Sequence, residues 1–581
     1  MATPYVPQGT TTRLTPADEE ASSKAAYKNM EEQAWHEWPN EAGFDGLTEH
    51  RGPIELKVIG NIPAWAAGSL YRTGPGQCKL EDTKSGTFHI SHWFDGLAHT
   101  HRFDIVAEGG SADAAGQPRV RVYYSSRRQS DKVAADIKAA GTLRTISFAQ
   151  RTDPCIGLFA KFMSVFNRKL SIYNVGVTVN VDVPSFMRPA QSAVDAQGHR
   201  AASIVIGTDA GVMCEVDPKT MDPIDFPKHT KFHPDLKGPF GGAHGQFDPE
   251  TGDYVNYNLE IGKTSVYRIF QVSAATGKTE ILATIPHRAA WIHSFFMTRN
   301  YVVLWVPVAH YQWKGGKIAW EGNLHDSFKP FDPAETCRWF VVDRHHGKGV
   351  VAEFSSPARF FFHTVNAFED DEGDVFCEVS DYPNRYIVDA YYYDVILDRN
   401  NKATEFWTDG QLAHKSFPRL TRYRLRKRDF VTSGGRDGDV TLPAPEIVME
   451  VPSPHAGDMG IINPQYRCRK HRYGYFLISR VLSTLFDAIV KVDTDTRELL
   501  LWEGPRGHTP GEAIFVPRPA TADGVVPDED DGVLLSVVLD GANKTSYLLC
   551  LDAKTMTELG RAECEFAVAL GLHGRHVAAA S

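Results

Sequence analysis

The rhythm of hydrophobic residues from about residue 54 onward limits this chain more than any other feature. Short apolar or alternating runs recur between clusters of turn formers. RVRVYY (119–124), SIVIG (203–207), YVVLWV (301–306), RWFVV (338–342) and GVLLSVV (532–538) have the length and the β-branched, aromatic content of strands. DPETGD (248–253), DEGD (371–374) and DEDDG (528–532) separate such runs, and long amphipathic helices are few. One phrase repeats, as EVDPKTM (215–221), QFDPETG (246–252), KVDTDTR (491–497) and CLDAKTM (550–556), each reading as the hairpin turn at the outer edge of a propeller blade. The fold expected is all-β, a β-propeller, in which strands converge on an axial channel and side chains remote in sequence can face one point.

A length of 581 residues suggests about four domains at ~150 residues each, but propellers are large single domains. Residues 46–581 are therefore read as one catalytic propeller domain. Residues 1–45, rich in Thr, Ala, Glu and Ser, are read as a flexible arm or surface strap. About residues 131–175 break the β pattern: Phe159, Phe162, Met163 and Phe166 fall at i, i+3, i+4, i+7, flanked by Lys161, Arg168 and Lys169. This stripe suits either a helix packed on the core or an interfacial helix giving peripheral membrane contact through residues 156–170.

A net charge of −10 gives no general attraction to polyanions, so nucleic acid is not an expected partner. No signal peptide opens the chain and no run of about 18 apolar residues occurs, so a cytoplasmic protein is expected, at most peripherally membrane-associated. The eight cysteines contain no CxxC pair, which argues for reduced core thiols over a thiolate metal site.

Chemistry has to be sought among 23 histidines, most of them structural. Four stand in apolar or Gly-rich text beside strands: His244 in GAHGQFDP, His293 in WIHSFFMT, His363 in RFFFHTVNAFE and His573 in LGLHGRH. A charged imidazolium is costly in such surroundings, and a neutral one wants a metal or a hydrogen bond. His99 and His101 alternate along a strand and read as structural, and His345 and His346 read as an exposed turn.

SHWFDGLAHTHRF (91–103), with GPG (74–76) ahead of it, resembles the N-terminal signature of the carotenoid cleavage oxygenases. The four histidine contexts, NPQYR (463–467), GEAIFVP (511–517), the acidic DEDDG run and the closing LHG (572–574) resemble that family in the same order, over about residues 50–577. The resemblance implies a seven-bladed β-propeller with a helical and loop dome over one axial iron(II) per chain, ligated by His244, His293, His363 and His573. It also implies carboxylates behind the ligands, matched by Glu512 and, with Asp where the family often has Glu, by Asp209 and Asp458. The shorter side chain requires a closer backbone or a bridging water.

The activity implied is oxidative cleavage of a conjugated double bond by O2, giving two carbonyl products. A small hydrophobic alkene is the partner, and no organic cofactor is needed. Carotenoids or apocarotenoids are the first expectation, since HWFDG is closer to fungal torulene- and apocarotenoid-cleaving members. Aryl alkenes are the alternative: stilbenes, or vinyl and propenyl phenols such as 4-vinylguaiacol and isoeugenol, with Tyr123 or Tyr124 binding the phenol oxygen. Trp291, Phe295, Phe296, Phe360, Phe361 and Phe362 flank two ligands; the tunnel candidates among them are Trp291, Phe295, Phe296 and Phe361. A reading from another class is a non-catalytic interaction propeller whose histidines are core residues.

Overall fold

A computed structural model of the chain describes residues 5–112, 118–151, 173–186, 203–408, 416–432, 441–520 and 523–579. The stretch 156–170, where an interfacial helix was expected, lies outside the described residues. Among them no helix is long and apolar enough to cross a membrane.

The strands form five sheets of four or five strands, one of ten, and a separate hairpin. The ten-stranded sheet is one group of five strands, two of which lie end to end along one edge of Gly532–Asp540, and one group of four, joined through the strand Ile54–Gly60. The first half of that strand pairs with Pro118–Arg128 (Leu56 opposite Val122) and its second half with Glu558–Cys564 (Lys57 opposite Glu563). Seven antiparallel groups result, and one edge strand from each lines a single axial channel. This is a β-propeller. Gly68–Pro75 pairs with His573–Ala578, so strands from opposite ends of the chain close the ring inside one sheet.

The repeated phrase builds the same turn each time. In the first copy the Asp217 carboxylate accepts the Lys219 and Thr220 N–H groups at 2.9 and 2.8 Å, and the Met221 N–H returns to the Asp217 carbonyl at 2.7 Å. Asp248 and Asp493 repeat this arrangement, and Asp552 accepts from the Thr555 N–H at 2.7 Å. The fifth residue takes positive φ in every copy: Met221 58°, Gly252 76°, Arg497 61° and Met556 58°. Three copies connect the outer two strands of a group, as expected; that at Asp248 instead joins Gln246–Phe247 to Tyr254–Glu260, a pair on the channel side.

In place of a flexible arm, residues 5–45 form ordered elements on the outside of the ring. Thr10–Leu14 adds a fifth strand beside Leu499–Glu503, and the helix Glu19–Glu31 follows. Trp35, Trp38 and Phe44 are buried, and the Trp38 indole donates to Thr509 Oγ1 at 2.8 Å. Burying each large aromatic contributes on the order of 2 kcal/mol toward the entropy of ordering a polar segment. The polar composition hid these few anchors.

Between neighbouring groups the packing is aromatic. Trp305 stacks on Phe361 of the next group (centroids 4.7 Å apart) and, within its own sheet, on Trp339 (4.4 Å), which lies parallel to Phe296 at 5.9 Å. Charge pairing links the same region: Arg344, fully buried, meets Asp248 at 2.7 Å and donates to the carbonyls of Thr298 and Arg299. Two substitutions separate these effects. Asp217→Ala loses only turn hydrogen bonds and should cost about 1–2 kcal/mol. Asp248→Ala also strands a buried guanidinium and should cost about 3–5 kcal/mol. Thermal melting of both variants checks this, with the second showing the clearly larger drop.

Candidate metal centre

Each of the four histidines stands where an edge strand reaches the axis. His244 lies between the two-residue strands Phe240–Gly241 and Gln246–Phe247. Its neighbours must be small: a Cβ on Gly242 would lie 2.8 Å from Asn256 Oδ1 and one on Gly245 2.3 Å from the Tyr254 ring. His293 precedes the strand Phe296–Met297, and its carbonyl accepts the Ala243 N–H at 3.1 Å, tying it to the His244 segment. His363 sits in Phe360–Glu369 at a register shift between Phe361 and Thr364, an irregularity that re-aims side chains. His573 opens the final strand, opposite Thr73.

The four rings converge, with all four candidate ligand atoms within 4.8 Å of one another. His244 Nε2 is 3.1 Å from His293 Nε2, and His363 Nε2 is 3.0 Å from His573 Nε2. The far nitrogens face carboxylates: His293 Nδ1 to Asp209 Oδ1, His363 Nδ1 to Asp458 Oδ1 and His573 Nδ1 to Glu512 Oε1, each 2.8 Å. A carboxylate only accepts, so those Nδ1 atoms carry the protons and the neutral rings turn bare Nε2 lone pairs toward one another. Lone pairs at 3.0 Å repel unless a cation lies between them. Imidazole nitrogens about 2.1 Å from a metal and at right angles would stand about 3.0 Å apart, so the donor set fits a metal ion.

The electrostatics agree. Burial, reinforced by the other three rings, holds His244 well below the usual histidine range; burial also lowers His573, against the opposing pull of Glu512. Burial alone would raise Asp458, but His363, the Tyr382 hydroxyl at 2.7 Å and the Met459 N–H keep its carboxyl below the ordinary value. Three carboxylates behind neutral rings favour positive charge at the centre. Both aspartates reach their histidines directly. At Asp458 the backbone comes close, since a Cβ on the preceding Gly457 would fall 1.8 Å from the Leu477 carbonyl oxygen.

Arg72, buried inside the strand Gly68–Pro75, was not anticipated. Its guanidinium donates to the Glu512 carbonyl at 2.7 Å and to those of Gly571 and Leu572 at 3.4 and 3.5 Å, locking the Glu512 segment against the approach to His573. An arginine as the one charged residue of its strand was the available signal.

On the dome side an apolar cavity of about 140 Å3 opens over His293, His363 and His573, walled by Phe94, Phe148, Phe362, Tyr391, Met459 and Leu572. Val133 and Ile137, on the buried face of the helix Asp131–Ala140, line it and also a neighbouring larger pocket that shares Leu143, Thr145 and Ala210 with it. Asp95 fixes this wall by accepting the Phe148 and Ala149 N–H groups at 2.6 and 2.7 Å, while burial pushes its carboxyl up to about 6.

The expected tunnel residues are dispersed. Trp291 supports His293 from behind, 5.5 Å between centroids, and stacks on Phe360. Phe295 and Phe296 line the axial channel on the opposite side of the quartet, and Phe361 packs into the Trp305 stack. Tyr124 is buried against Phe566 with its hydroxyl 2.8 Å from His101 Nδ1, and Tyr123 pairs with Glu55 on a strand remote from the cavity. Of the aromatic flank, Phe362 reaches the cavity.

The family model described as retinal pigment epithelial membrane protein, RPE65, matches residues 43–578. A carotenoid dioxygenase of Neurospora crassa is 47% identical, covering 98% of this chain and 96% of its own. A torulene dioxygenase of Gibberella fujikuroi is 46% identical over 95% of this chain and 96% of its own. Among solved structures, the apocarotenoid oxygenase of Synechocystis superposes with a TM-score of 0.67 at 20% identity, covering 94% of this chain and 98% of that one. A match to the family model over nearly the whole chain, joined to these relatives, places the protein in the RPE65/carotenoid oxygenase family.

Proposed function

We propose that this protein is a non-haem iron(II) dioxygenase that cleaves one conjugated double bond of a carotenoid or apocarotenoid with O2, each half of the alkene leaving as a carbonyl compound. The observation that carries the reading is the quartet of inward-facing Nε2 atoms at the floor of an aromatic cavity. His244, His293, His363 and His573 would hold the ion, with Asp209, Asp458 and Glu512 fixing the tautomers of three of them. Iron bound there would supply the redox chemistry by which dioxygen reacts with an electron-rich alkene. The residues of this chain do the rest. Phe94, Phe148, Phe362 and Tyr391 offer a polyene flat apolar contacts, exclude water, and set which bond stops above the quartet.

The substrate class is supported by the relatives described as carotenoid and torulene dioxygenases, and the apolar cavity agrees with it. The aryl-alkene alternative lacks such support: Tyr123 and Tyr124, expected to bind a phenol oxygen, lie away from the cavity.

His293→Ala and His363→Ala should each bring iron to background after anaerobic Fe(II) loading, and abolish turnover in a chain that still melts cooperatively. An iron-replete, active His363→Ala enzyme would remove that ligand. Glu512→Gln, which keeps size but not charge, should weaken metal retention about 10- to 100-fold, read by competition with a chelator. Incubation with an apocarotenal, torulene, resveratrol and 4-vinylguaiacol, with aldehydes separated by chromatography, should give products from the polyenes. Products from the phenols alone would overturn the substrate class, and no iron in any preparation would leave a non-catalytic propeller.

A further inference from the structure

The axial channel on the side of the quartet away from the aromatic cavity, about 360 Å3 in volume, has a charge imbalance that alkene cleavage does not use. Among the described residues two arginines, Arg467 and Arg575, line it, and its one acidic residue is Glu512. Glu512 is already committed, accepting from His573 Nδ1 at 2.8 Å and from the Gly574 N–H at 2.9 Å. Among the described residues neither guanidinium has a carboxylate partner or a side-chain hydrogen bond. Other arginines packed into this fold do not stand so: Arg344 has Asp248, Arg422 has Glu378, Arg480 has Asp487 and Arg561 has Glu558, each at 2.7 Å or closer.

The two positions are built. Arg575 lies two residues beyond His573 on the final strand, so strand alternation puts both on the channel face. Arg467 belongs to a loop held from both sides by Asn366, whose amide donates to the carbonyls of Tyr466 and Arg469 at 3.3 and 2.9 Å and accepts the Cys468 N–H at 3.1 Å. Both arginines are half-buried. Like charges between low-dielectric walls concentrate a positive potential that one bound anion relieves. Guanidinium forks offer that anion several directed N–H donors, and the amides of Asn180 and Gln246 share the lining.

We propose that Arg467 and Arg575 form a binding site for a small inorganic anion, such as a halide or nitrate, in the axial channel beneath the histidine quartet. The site is separate from the alkene cavity, and its test needs no turnover. Crystals of the iron-loaded protein soaked in bromide should show an anomalous peak within about 3.5 Å of both guanidiniums, and Arg575→Gln crystals should lose it. In solution, replacing gluconate by chloride at constant ionic strength should raise the melting temperature of the native chain, because an ion bound only by the folded state stabilises it by mass action. Arg575→Gln and Arg467→Gln should each abolish that rise while still melting cooperatively. Bromide confined to the outer surface, or an equal chloride effect in native and variant chains, overturns the proposal. A crystal peak with no chloride effect in solution means an adventitious ion only, and overturns it as well.

Discussion

Imidazole lone pairs pointed at one another are an unstable arrangement, and most of what surrounds the quartet makes sense as the means of holding it. The protons that could have bridged the rings are held on the far nitrogens by Asp209, Asp458 and Glu512. Each carboxylate therefore does two things: it orients a ring, and it leaves the inward nitrogen with nothing to bond to except a cation. His244 has no such partner among the described residues; its place is set by a backbone tie to the His293 carbonyl and by glycines that let its segment sink against Asn256 and Tyr254.

Convergence is a property of the ring more than of any one strand. Ser294 Oγ donates to the Phe362 carbonyl at 2.7 Å and accepts the Thr364 N–H at 2.9 Å, binding the His293 segment to the His363 strand. Arg72 similarly binds the Glu512 segment to the approach to His573. These links run between neighbouring groups at the axis, while the Trp305 stack and the Arg344 to Asp248 pair act further out. A shift in one group would thus be felt at the centre through short polar contacts, where misplacement by an ångström matters.

The strand rhythm and the aspartate turns were legible in the sequence because both are local: a carboxylate two or three residues from the N–H groups it accepts needs no tertiary partner. The histidines stood out because each sits in apolar or glycine-rich text whose purpose is close approach, seen in the Cβ positions blocked at Gly242 and Gly245. The cavity wall was not legible in the same way. Phe94, Phe148 and Tyr391 come from three separated segments, and nothing in the text joins them. Alternation along the strand carrying His363 does separate the two faces, Phe361 outward on Trp305 and Phe362 at the cavity, but which face meets the cavity was not legible from the strand alone. The arm misled through composition, its polar residues outnumbering the three aromatics that pin it.

Closure of the ring by strands from its two ends also fixes an order of events during synthesis. Arg72 meets the Gly571 carbonyl across 499 positions, and the last of the four rings follows two residues later. A nascent chain on the ribosome can complete six of the seven groups and still offer only three of the histidines. The four-histidine centre is therefore complete only once the final strand has been made, and a chain stopped just short of that strand keeps most of its sheets but lacks the fourth ring.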